Sequence, residues 1–100
     1  MVKHVILWKL KDEYSASEKE TIKAEIKIAL EALLGKIEGL LEMKVHTHGL
    51  PSSNADLMLD SLFESEAALK GYAVHPDHVA VTDTFVRPFT ASRFCLDYTV

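Results

Sequence analysis

The sequence has little of what sets specialised small proteins apart: one cysteine, three prolines and four glycines among its 100 residues, and no surplus of basic charge. Cys95, being alone, cannot form an internal disulfide. It fits a reducing compartment, where a small buried apolar residue is its ordinary role. With 11 basic against 15 acidic residues, the net charge of −4 argues against a nucleic-acid binder, which concentrates Lys and Arg on one face. No run nears the roughly 20 apolar residues that span a bilayer. The opening MVKHVILWKLK has a histidine and lysines inside its short apolar stretch, unlike a signal peptide. A cytoplasmic protein without membrane or nucleic-acid partners is expected.

What is present suits one globular domain over residues 1–100, since the composition is 48% hydrophobic and 26% charged. Residues 2–11 alternate as a strand, with His4, Ile6, Trp8 and Leu10 on one face and Lys3, Val5, Leu7 and Lys9 on the other. The segment SASEKE holds two overlapping capping boxes, Ser15 with Glu18 and Ser17 with Glu20. They predict a helix from about Ser17 to Leu34, whose buried stripe is Ile22, Ile26, Ala29, Leu30, Leu33 and Ile37. Leu40 to His48 reads as a half-exposed strand with Leu41, Met43 and Val45 inward. GLPSSN is a loop, and Asp56 to Glu64 forms a third strand. Glu66 to about Val74 is a short helix, Pro76 starts another reaching roughly Phe85, and Ser92 to Val100 is the last strand.

The order strand, helix, strand, strand, broken helix, strand predicts an α+β, ferredoxin-like βαββαβ fold with a four-stranded antiparallel sheet. Both helices of that fold cover one face of the sheet, so the two-sided apolar character of the first strand demands a second cover. The expectation is that the long helix packs on Val5 and Leu7, while Ile6 and Trp8 meet the same face of a second copy. Two sheets would then close into a dimeric α+β barrel with a cavity between them.

Five histidines bear on chemistry. His4 shares the face of Ile6 and Trp8, where it is either an acid, base or donor in the cavity or a hydrogen-bonded interface residue. His46 and His48 have the spacing of two ligands on one strand face, but nothing of matching spacing accompanies them, and no metal is expected. GYAVHPDH, Gly71 to His78, gathers Tyr72, His75 and His78 about a helix break. A phenol and an imidazole there can orient and deprotonate a carbonyl compound. Equally, Tyr72 can pack on the sheet while both histidines bond to backbone.

KHVILWKLK, LFES, GYAVHPDH and the closing LDYTV, in that order from Lys3 to Thr99, resemble the stress-responsive A/B barrel (Dabb) family. The resemblance implies a homodimer. A plant member of that family cyclises a polyketide without metal or organic cofactor. Its catalytic tyrosine and histidine fall at Tyr72 and His78 here, and its first-strand histidine at His4. Leu57 stands where that relative has a further pocket histidine, and no tyrosine lies near Ile26, so the activity is not carried over. The reading is a homodimer binding a small apolar or carbonyl-containing molecule, without cofactor, in a pocket between sheet and helices. His4, Ile6, Trp8, Tyr72, His75 and His78 are its candidate residues. The alternatives are a cyclase- or lyase-like enzyme with His78 as base and Tyr72 as carbonyl donor, and a small cofactor-independent monooxygenase.

Overall fold

In the computed structural model, which describes residues 1–100, strand β1 (Val2–Leu10) leads to helix α1 (Ala16–Glu31) and strands β2 (Leu40–His46) and β3 (Leu57–Phe63). Helices α2 (Glu66–Val74) and α3 (Pro76–Val81), a π-helical turn (Thr82–Val86) and strand β4 (Thr90–Thr99) complete it. The strands form one antiparallel sheet in the order β2-β3-β1-β4, the ferredoxin-like arrangement expected from the element order. No helix is long and apolar enough to cross a membrane.

Of the two possible capping boxes the chain uses the first. Glu18 N–H donates to Ser15 Oγ at 3.2 Å while Ser15 N–H donates to Glu18 Oε1 at 2.9 Å, so α1 opens at Ala16. It ends at Glu31, short of Leu34. A run of turns follows, with Gly35 and Gly39 at positive φ, 88° and 81°. At Gly39 an added Cβ would stand 2.5 Å from Ala68 Cβ, so glycine is required where the chain enters β2 against α2. Lys27 and Glu31 then bind the edge of β2: Lys27 Nζ donates to Val45 O at 2.8 Å, and Val45 N–H donates to Glu31 Oε2 at 2.9 Å. An edge strand whose free backbone groups are taken by its own helix offers less to a second chain.

The face assignment of β1 is corrected. Helix α1 packs on the Ile6, Trp8 and Leu10 face, not on Val5 and Leu7. Ile22, Ile26 and Leu30 share one core with those three residues and with Leu57, Leu59 and Phe63 of β3. The reason lies in the partner strand, because Ile6 stands opposite Leu59 and Trp8 opposite Leu57, making one continuous apolar layer. The other face alternates Val5 and Leu7 with Lys3 and Lys9, and Lys3 Nζ there bonds Asp60 Oδ1 at 2.7 Å. Burial of each large aliphatic side chain in the layer stabilises by about 1.5–3 kcal/mol. A second correction concerns β2, where a register irregularity between Leu40 and Glu42 turns Leu41 outward and leaves Leu40, Met43 and Val45 buried.

The face left uncovered is still apolar. Phe94 and Leu96 of β4 are 72% and 65% exposed, and Leu7 of β1 and Tyr98 share their side of the sheet. This is the face on which a second copy of the chain can close, and the Ile6 and Trp8 side is not available for it.

Candidate functional site

Because α1 covers only part of the β1–β4 side, a cavity of about 510 Å³ remains inside the chain, between the sheet and the α3–π segment. Its floor includes Ile6, Trp8, Leu30 and Leu59, and its polar side chains include Tyr72, His78 and Arg93. Three local features aim those groups. Ser65 caps α2 by accepting from Ala68 N–H at 3.1 Å, which sets the turn that carries Tyr72 inward. His75 then breaks the helix in an extended conformation, and Pro76 starts α3 with His78 one turn in. The π-helical turn, closed by Arg87 N–H donating to Thr82 O at 2.8 Å, swings Val86 toward the same space.

Tyr72 and His78 are in ring contact, their centroids 3.9 Å apart and their planes 32° from parallel. Tyr72 is buried, and its hydroxyl has no hydrogen-bond partner. Burial holds the phenol protonated far above its usual range, with the Arg93 charge opposing. His78 is half-buried, and burial lowers its pKa from the ordinary 6.5; the charges of His4 and Arg87 lower it further, while the bond to Ala73 O opposes them. With Nδ1 donating to Ala73 O at 3.4 Å, Nε2 is the nitrogen left free to take a proton. A neutral base and an unpaired donor thus line one cavity, an arrangement able to polarise a carbonyl and move a proton beside it.

His4 stands edge-on to Tyr72, the ring centroids 6.1 Å apart. It lines an adjoining hollow with Arg93, Cys95 and Asp97 rather than the Ile6 and Trp8 cavity itself. Its Nδ1 is paired with Asp97, directly opposite on β4, and its backbone oxygen accepts from the buried Ser61 hydroxyl at 2.7 Å. That partner explains how an imidazole is tolerated in a core layer, and nothing near His4 in the sequence announces it. Cys95 is exposed on β4, not buried, and His4 Nδ1, its sulfur and an Asp97 oxygen lie within 4.8 Å of one another. These three could ligate a metal; His46 and His48 are both exposed and gather no third ligand.

His75 does not reach the cavity. Its Nδ1 accepts from Asp77 N–H at 3.1 Å as the cap of α3, and it borders a separate hollow beside Gly39 and Glu64. The residue that sequence reasoning passed over is Arg93. It sits opposite Trp8 in the β1–β4 register, and so on the cavity side of the sheet.

Solved structures share this fold. A dimeric protein of unknown function with a ferredoxin-like fold from Bacteroides fragilis NCTC 9343 is 34% identical, with a TM-score of 0.91 over 99% of this chain and 95% of its own. A Dabb family protein from Mesorhizobium loti is 22% identical, with a TM-score of 0.74 over 99% and 95%. A hydroxynitrile lyase from Passiflora edulis is 19% identical, with a TM-score of 0.74 over 99% and 92%, a likeness of fold alone. No curated protein matches the sequence. The model of the stress responsive A/B barrel domain matches residues 2–100, and the chain belongs to that family.

Proposed function

We propose that the chain works as a homodimer and that each copy binds a small, largely apolar carbonyl compound in the cavity above Ile6 and Trp8. One observation carries this reading: the buried Tyr72 hydroxyl has no partner in the protein and lies beside a histidine whose pKa is lowered. A buried donor left unpaired costs roughly 1–3 kcal/mol, a cost that a ligand carbonyl accepting from it would remove. The dimer is supported by the exposed apolar face at Phe94 and Leu96 and by the dimeric Bacteroides relative. The single exposed thiol suits a reducing, cytoplasmic setting.

The lowered pKa of His78 favours a catalytic form of the same reading. Its Nε2 would accept a proton from the carbon next to the carbonyl, and the electron pair would pass to the carbonyl oxygen as Tyr72 donates to it. The experiment uses 4-phenylbutan-2-one in deuterated buffer. Quenching of Trp8 emission reports binding, and loss of the α-proton NMR signals reports proton transfer. Binding that Tyr72→Phe weakens supports the site, and exchange that His78→Ala abolishes supports the enzyme. Binding without exchange leaves a carrier. No quenching by this or related ketones would remove the reading.

A further inference from the structure

The chain is acidic overall, with 15 acidic residues against 11 basic, yet this cavity has the opposite character. Arg87, Arg93 and His78 border it, together with Tyr72 and two threonines, and no aspartate or glutamate does. The two arginines differ in what they already hold. Arg87 bonds Asp83 Oδ1 through Nε at 3.2 Å and is largely exposed. Arg93, also exposed and beside the Cys95 sulfur, has no carboxylate within salt-bridge distance, since the six ion pairs of the chain leave it out. Asp97, the next acid along the same strand face, is already paired with His4.

An arginine fork without an acid, next to a buried phenol whose O–H has no acceptor, is half of a carboxylate site: the guanidinium offers donors only, and the phenol has a donor to give. Arg93 stands opposite Trp8, so an anion held there keeps its apolar body over Ile6, Trp8 and Leu59. Resting on the carbonyl-binding reading above, we infer that the cavity takes an organic acid, a carbonyl compound whose carboxylate pairs with Arg93 and whose remainder is apolar. A 2-oxo acid with an aryl or alkyl tail has this form. Its carboxylate would meet the guanidinium while its ketone faces Tyr72.

The test compares two probes that differ in a carboxylate in place of a methyl group, 4-phenyl-2-oxobutanoate and 4-phenylbutan-2-one, by titrating the emission of Trp8, the one tryptophan of the chain, at low and at physiological salt. The oxo acid is expected to bind at least tenfold more tightly than the ketone, and added salt should weaken the acid alone. In Arg93→Met the acid should lose its tenfold advantage over the ketone. Arg93→Lys, which keeps the charge but not the fork, should retain part of the preference and serves if the methionine variant is poorly folded. Equal binding of the two probes, or a preference that survives Arg93→Met, overturns the organic-acid inference and leaves the cavity reading intact. Failure of both probes to perturb Trp8 in the unsubstituted protein overturns the two together.

Discussion

The rings of Tyr72 and His78 touch at a centroid distance of 3.9 Å, although a helix boundary separates the two residues. Tyr72 closes the face of α2 turned to the sheet, and His78 is carried back over it by the new helix that Pro76 begins. The contact therefore depends on the break at His75. A continuous helix through Val74 would keep the two residues six apart on one helix and turn their side chains to different directions.

Tyr72→Phe separates stability from function. Removing the unpartnered hydroxyl deletes a buried polar group without opening a large gap, so the variant should be more stable by about 1 kcal/mol while it binds ketones less well. Urea unfolding and Trp8 quenching, run on the same samples, read the two effects.

The pH dependence follows from His78. Its pKa is lowered in the folded chain, chiefly by burial, so the unfolded chain binds more protons between that lowered value and 6.5. Stability should be unaffected by this residue above pH 7 and should fall as the pH drops through that window. Chemical unfolding from pH 8 to pH 5 should show the decline, and His78→Gln should flatten it.

The two faces of β1 and β4 predict opposite outcomes for one kind of substitution. Leu96→Asp places a charge on the open face, and sedimentation should find a folded monomer. Trp8→Asp places the charge in a site only 3% exposed and should unfold the chain, with loss of far-UV circular dichroism. A stable dimer of Leu96→Asp would move the interface elsewhere.

Gly39→Ala should be destabilising by at least about 1 kcal/mol, because alanine is strained at φ 81° and its Cβ would collide with Ala68. Pairing it with Ala68→Gly should recover the steric part and leave the backbone part, a difference that thermal unfolding midpoints resolve.

The element order and the inward placement of Ile22, Ile26 and Leu30 were legible in the sequence, since they rest on local patterns, whereas two overlapping capping boxes left the start of α1 open between Ser15 and Ser17. The choice of face on β1 was not legible. Val5 and Leu7 on one side compete with Ile6, Trp8 and Leu10 on the other, and alternation alone does not rank two apolar faces. What decides is the register with Leu57 and Leu59, set by a pairing some fifty residues away. His4 gave no help, because a lone imidazole fits a cavity or an interface equally until Asp97 is seen opposite it. Arg93 went unnoticed for a related reason, as its meaning lies in the acid it lacks.

The cavity opens on the helix side of each sheet, whereas a dimer would close on the opposite side through Leu7, Phe94 and Leu96. Two copies so joined would carry their sites back to back, with two sheets between them and no lining residue in common. Such a dimer should titrate as two equal and independent sites, with a stoichiometry of two per dimer and a Hill coefficient of about 1.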